Sequence, residues 1–166
     1  PARVRMGLHP SYRSSEDGQR WRNEAEIMDG INLPRIASRQ HFLRWSSSAM
    51  FRTVHALGYR EEHTLGFSDR VGFRASTCTP FPWYDLDHEC ATDLMIHPFA
   101  AMDSALIERM DHSPEDVVRT MNALSDKVRA VGGTFISVWH DRYLSGYREF
   151  GPWPAVFERV MKHAMA

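Results

Sequence analysis

The most regular alternation of apolar and polar positions lies over residues 114–131 and predicts an amphipathic helix. Its apolar stripe, with spacings of four and three residues, consists of Val117, Met121, Leu124, Val128 and Val131. Ser113 is a suitable N-cap, Pro114 suits the first helical position, Asp116 completes a capping box and Gly132 follows the end. We therefore expect a helix that buries one face and whose two ends are determined by the local sequence.

The same succession of an amphipathic helix and a short apolar strand recurs along the chain. Further helices are predicted over 16–28, 48–57, 102–110 and 154–165. Strands are predicted over 4–8, 35–43, 64–67, 94–99 and 134–139. Strands that alternate with helices favour βα units and a mainly parallel sheet, which is either open or closed into a barrel. The predicted fold class is therefore α/β.

Residues 72–93 interrupt this succession. They include the proline-rich and aromatic run TPFPWYDL, and we expect a long loop whose length indicates a functional role. The rings of Phe81, Trp83 and Tyr84 suit either stacking against sugar rings or capping of a core. The pattern leaves both alternatives open.

The first predicted strand, 4–8, leads directly into His9 and Pro10 and has no strand before it with which to pair. An interior strand without its partner predicts an open edge on one side. We interpret the chain, residues 1–166, as a single domain whose N-terminal part is missing.

Composition and charge exclude several classes of protein. The chain has 166 residues with 20 Lys and Arg against 21 Asp and Glu, and its net charge is -1. This balance gives no basic surface for nucleic acid or for an anionic membrane. No apolar run reaches the roughly 18 residues needed to span a bilayer, and the compartment is left open. Cys78 and Cys90 are too few for a disulfide framework, and we expect them to be small buried hydrophobic residues.

Polar residues follow the ends of the predicted strands, which is where parallel βα folds build their active sites. These residues are His9, Arg39, His41, Glu62, Asp69, His97, His140 and Asp141. For His9 and His140 a functional role is favoured over a structural one because both lie beside turn residues, whereas the two roles are even for His41. His97 precedes a proline in an apolar run, so a structural role is favoured there.

The remaining histidines show no partner pattern, and we expect them at the surface. They are His55, His63, His88, His112 and His163. Arg39 and Arg74 have apolar or small neighbours in the sequence, and a buried arginine needs an anion or a carboxylate. Each is expected to form a structural ion pair or to clamp the substrate.

Six motifs in a fixed order resemble the polysaccharide deacetylases, the NodB-homology esterases that act on N-acetylated sugars. The motifs are GLHPSY, SRQHFL, LGFSDRVGFRAST, PFPWYDL, HPFAAMD and SVWHD. The resemblance covers nearly the whole chain and is closest to an atypical bacterial branch. It implies the C-terminal portion of a distorted (β/α) barrel, a divalent metal that is usually zinc, and an N-acetylated sugar or polysaccharide as substrate. It also implies one aspartate base and one late histidine acid.

The resemblance assigns roles to individual residues. His9 matches the first metal histidine, but Arg13 stands where the family has the second, so His41 is expected to replace it. Arg39 matches the arginine that orients the base, and His140 matches the late acid. Arg74 is a further candidate for the catalytic machinery. The paired aspartates of the family would lie before the first residue.

The implied chemistry is hydrolysis of an amide, in which a histidine held protonated by a carboxylate can protonate the leaving amine. We expect His9, Arg39 and His140 to lie on one side of the sheet or barrel. Two alternatives stay open: a catalytically degenerate barrel that binds saccharide or a protein partner, and an enzyme with a different reaction on a similar barrel.

Overall fold

The structure is a computed structural model that describes residues 4–45 and 47–166, and the chain divides into two compact units. Unit 1 comprises the chain up to Leu65 together with Pro80–His97. Unit 2 comprises Gly66–Thr79 and Pro98–Ala166. Unit 2 thus contains the chain segment that separates the two parts of unit 1.

Unit 1 contains a mostly parallel five-stranded sheet. Its strands are β1 (Gly7–Leu8), β2 (Ala37–Ser38), β3 (Glu61–Glu62), β4 (Phe81–Asp85) and β5 (Cys90–Ile96). Their order is β1-β2-β3-β5-β4, and only the β4–β5 pair is antiparallel. The mixed α/β class is therefore confirmed, whereas the distorted (β/α) barrel, of which the chain would be the C-terminal portion, stays a prediction. β1 lies at one edge of the sheet, as the sequence predicted for strand 4–8.

Two helices of unit 1 cover one face of this sheet. They are α1 (Gly18–Gly30), which Asp17 caps, and α2 (Ser48–Ala56). Trp21 of α1 and Phe51 of α2 are buried in one core with Leu94 and Ile96 of β5. Leu8 of β1 packs against the same core. Side chains alternate between the two faces of a strand, so the core lies on the face of the sheet to which Leu8, Leu94 and Ile96 point.

Unit 2 combines a short parallel strand pair with a helical core. Its elements are β6 (Ala101–Met102), a π-helix (Ala105–Arg109), α3 (Pro114–Ala130), β7 (Ser137–Val138), α4 (Asp141–Leu144) and α5 (Trp153–Met165). The capping box between Ser113 and Asp116 is present, so the predicted start of the long helix is confirmed. α3 and α5 pack together through buried residues such as Met121 and Val156. None of the helices in the described part of the chain is long and apolar enough to cross a membrane.

The predictions for 64–67 and 72–93 are wrong. The third strand lies earlier, at β3, and the supposed loop contains β4 and the start of β5, which form an antiparallel hairpin. Pro82 within β4 argues against a central strand, but β4 is an edge strand, where a missing N–H costs no ladder hydrogen bond. Buried residues also alternate there, with Trp83 and Asp85 inward.

Three further predictions need correction. The strand predicted over 35–43 is reduced to β2, because the chain turns into a 3-10 helix at His41–Leu43. The helix predicted over 102–110 is the short π-helix that follows β6. Cys90 is exposed and Cys78 is half-buried, and both thiols are free, so the two cysteines are not buried hydrophobic residues.

Gly66 of unit 2 is expected to tolerate no side chain. A Cβ there would lie 2.1 Å from Cζ of Phe99, whose ring is fully buried. Gly66→Ala should lower the free energy of unfolding by about 1–3 kcal/mol through overpacking, as measured by urea denaturation. Gly30→Ala is the matched control, because a Cβ at that position meets no atom within 4 Å. An equal loss of stability in both variants would contradict this explanation.

Candidate functional site

The parallel register of unit 1 aligns four residues at the carboxyl ends of neighbouring strands. These residues, which we call the strand-end row, are His9, Arg39, His63 and His97. The backbone N–H groups of the last three donate to carbonyl oxygens of the neighbouring strands at 2.8–3.1 Å. The hydrogen-bond ladder thus extends one residue beyond the strands and places three histidines and one arginine in a row at the carboxyl ends of the strands.

His9 and His41 form a close pair of imidazoles. Nδ1 of His9 lies 2.6 Å from the carbonyl oxygen of Arg39. A carbonyl only accepts, so Nδ1 is the donor and Nε2 of the neutral ring keeps its lone pair. That Nε2 lies 3.1 Å from Nδ1 of His41, on the 3-10 turn that follows β2. The structure therefore brings together the two histidines that the sequence nominated as metal ligands.

A second group of ligand atoms lies further along the row. Glu61, His63 and His97 each offer one atom, and these atoms all lie within 4.8 Å of one another. The two imidazole rings stack, with 4.7 Å between their centroids and 18° between their planes. Among the described residues this is the group of three side chains that could hold a metal ion.

The environment keeps both imidazoles of this group neutral. Burial, and to a smaller extent the charge of the neighbouring His97, lowers the pKa of His63 to about 4. Burial also lowers the pKa of His97. Burial opposes ionisation of Glu61, but the hydrogen bond and charge of Arg5 outweigh it and leave the pKa of that carboxyl below its usual range. Two neutral imidazoles and one carboxylate are thus available as ligands.

The sequence prediction missed this group. His63 was expected at the surface, but its side chain is only 25% exposed, and for His97 a structural role was favoured. His63 and His97 each follow a strand by one residue, as His9 does, and this position could have identified them. It was not recognised for His63 because the third strand was predicted over 64–67, three residues after the start of β3.

Glu62 is a fully buried acid of unit 1. It points to the face opposite Glu61, has no exposed surface, and accepts hydrogen bonds from the hydroxyl groups of Ser38 and Thr64. Burial raises its pKa to about 7, against the opposing effect of those hydrogen bonds and of the charge on Arg39. Glu62 is therefore a carboxyl group that can be protonated at neutral pH. It lies on the face of the sheet opposite Glu61 and His63.

In unit 2, His140 pairs with the fully buried Asp103. Nδ1 of His140 lies 2.6 Å from Oδ1 of Asp103, and the backbone N–H of His140 donates to Oδ2 at 2.5 Å. The backbone N–H of Ser104 donates to Oδ1 at 2.6 Å. A carboxylate accepts, so Nδ1 carries the proton and Nε2 is the atom left for a substrate. The imidazole is 38% exposed, and the pair fixes both its tautomer and its orientation.

The other predicted site residues are placed as follows. Arg39 is half-buried in unit 1, whereas Arg74 is exposed in unit 2, so the expectation of a buried arginine is wrong for Arg74. Asp69 and Asp141 are exposed as well. His9 and Arg39 belong to unit 1 and His140 to unit 2, and their common side stays a prediction.

No protein-family model, curated protein or solved structure matches the chain. The function of the chain therefore has to be inferred from the chemistry of its own side chains.

Proposed function

We propose that this chain is a metal-dependent hydrolase that removes acetyl groups from an N-acetylated carbohydrate. The observation that carries the proposal is the His9–His41 pair, whose facing nitrogens lie 3.1 Å apart at the carboxyl ends of parallel strands. The motifs around both residues resemble polysaccharide deacetylases, which supports this class of substrate over other amides.

The pair fits a divalent metal. Two nitrogens that bind one tetrahedral zinc ion at roughly 2.0–2.1 Å lie about 3.3 Å apart, close to the separation found here. The hydrogen bond from His9 to the Arg39 carbonyl is the usual outer-shell support of a metal-binding imidazole. Two imidazole nitrogens are a donor set that favours zinc. A zinc ion held there would polarise an amide carbonyl and lower the pKa of a bound water toward about 7.

The remaining roles fall to residues that hold or move protons. Nε2 of His140 is the proposed proton donor to the leaving amine, and Asp103 keeps that imidazole oriented. Arg39 is a positioning residue, since its carbonyl orients His9. Arg74 is exposed in unit 2, and its guanidinium group is of the type that binds an anionic or hydroxyl-rich substrate.

A second candidate function is binding of saccharide without catalysis. It is favoured by Arg13, which stands where the family pattern has its second histidine and is exposed in the structure. The exposed ring of Tyr84 on β4 offers a surface for a sugar. Release of acetate and free amine distinguishes the hydrolase from this candidate.

We expect the zinc-loaded chain to release acetate and free amine from oligomers of N-acetylglucosamine. His9→Ala should remove the zinc held by the His9–His41 pair and lower the rate at least about a hundredfold, because that zinc is the ion proposed to polarise the amide carbonyl. His88→Ala, which removes an exposed histidine from the β4–β5 turn, is the control and should keep metal and activity. Binding of the oligomer without release of acetate would favour the saccharide-binding alternative.

A further inference from the structure

We propose that Glu61, His63 and His97 bind a divalent transition metal of the zinc class, at a site separate from the His9–His41 pair. One carboxylate oxygen and two imidazole nitrogens are a ligand set typical of zinc. The three ligand atoms already lie within 4.8 Å of one another, so small side-chain rotations suffice to close around an ion. The proposal goes beyond the hydrolase function and does not depend on it.

The sheet backbone holds this site in place. Glu61 and His63 are two residues apart along β3 and its extension, so both side chains leave the same face. His97 is aligned beside His63, because its backbone N–H donates to the carbonyl of Glu62 at 2.8 Å. The three ligands therefore come from two directly paired strands and need no movement of the backbone.

The site lies too far from the His9–His41 pair for one ion to serve both. His9 follows β1, and β3 is two strands away in the sheet order. Neighbouring strands are about 4.8 Å apart, which puts the ends of β1 and β3 about 10 Å from each other. Among the described residues, neither His9 nor His41 belongs to the group whose ligand atoms lie within 4.8 Å of one another, and the ligand atoms of one zinc ion are at most about 4 Å apart, so the two groups would hold separate ions.

Arg5 is compatible with a metal at this site. Its Nη1 donates to Oε1 of Glu61 at 2.7 Å, while Oε2 of the same carboxylate faces Nε2 of His63 at 3.4 Å. One oxygen can therefore bind the ion while the other keeps the guanidinium group. A carboxylate ligand that is also hydrogen-bonded is the common arrangement at metal sites.

Titration of the metal-free full chain with Co²⁺, followed by its visible absorption, and with Zn²⁺, followed by calorimetry, tests the proposal. The His9→Gln/His41→Gln variant should still bind one equivalent of metal. Starting from that variant, Glu61→Gln should weaken binding at least about tenfold, and His97→Gln should do the same. Glu61→Gln keeps the shape of the side chain, and circular dichroism of each variant checks that it is folded.

Two results would overturn the proposal. One is that the His9→Gln/His41→Gln variant binds no metal, and the other is that Glu61→Gln leaves its affinity unchanged. Because the readout is metal stoichiometry, failure of this site is distinct from failure of the hydrolase. If the unchanged chain is inactive but the His9→Gln/His41→Gln variant still binds one equivalent of metal, only the proposed function is contradicted. If the unchanged chain is active but that variant binds no metal, only this site is contradicted.

Discussion

His140→Ala is expected to lower the turnover of an N-acetylated sugar by about a hundredfold or more. The lost group would donate its proton to the leaving amine only in the transition state, so kcat should fall while substrate affinity stays close to that of the unchanged chain. Asp103 accepts from Nδ1 of His140 at 2.6 Å and fixes the orientation of the imidazole. The measurement is steady-state release of free amine, together with the zinc content of each variant.

Asp103→Asn is the companion variant. An amide in place of the buried carboxylate removes the charge and can impose the other tautomer on His140, so turnover should fall as well while the side chain keeps its shape. His140→Ala should keep the zinc content of the unchanged chain, whereas His9→Ala should lose the equivalent held by the His9–His41 pair. Equal loss of metal in the two alanine variants would make His140 a ligand, and unchanged turnover in His140→Ala would contradict the acid role.

Elements whose ends depend on nearby residues were predictable from the sequence. The helix expected over 114–131 is α3, Pro114–Ala130, because its capping box and apolar stripe both lie within its own sequence. The helix expected over 16–28 is displaced by two residues in α1, since Asp17 caps it through the N–H groups of Gln19 and Arg20. Local hydrogen bonds thus decide helix ends, and the sequence contains them.

Strands were harder to predict because their partners lie far away in the chain. β1, β2, β3, β6 and β7 have only two residues each, too few for an alternating pattern to be recognised. The hairpin of β4 and β5 was missed because Pro82 lies inside it, and only the place of β4 at the sheet edge makes that proline acceptable. An edge position is a tertiary property that no short window of sequence contains.

The candidate sites divide in the same way. The pairing of His9 with His41 and the position of His140 after an apolar strand were both accessible, because each histidine closely follows its own strand. The contact of His63 with His97 depends on the pairing of β3 with β5, two strands separated by the whole β4 segment. Likewise, Asp103 is identified as the partner of His140 only once β6 is paired with β7.

Glu62→Gln is expected to make the stability of the protein less dependent on pH. In the folded state burial raises the pKa of Glu62 from 4.5 to about 7, so the folded protein holds a proton that the unfolded chain has already released. Stability is therefore highest below the unfolded pKa and falls as the pH rises from about 4.5 to about 7. A difference of about 2.5 pKa units corresponds to a loss of about 3 kcal/mol above that window.

Glutamine cannot ionise and should escape this loss while it still bonds to the hydroxyl groups of Ser38 and Thr64. Urea unfolding with a chelator present, at about pH 5 and about pH 8, should show the variant gaining about 2.5 kcal/mol relative to the unchanged chain as the pH rises. Glu26→Gln on the exposed side of α1 is the control and should keep the original pH dependence. If the stability difference between Glu62→Gln and the unchanged chain is the same at both pH values, Glu62 is already ionised in the folded protein and the prediction is wrong.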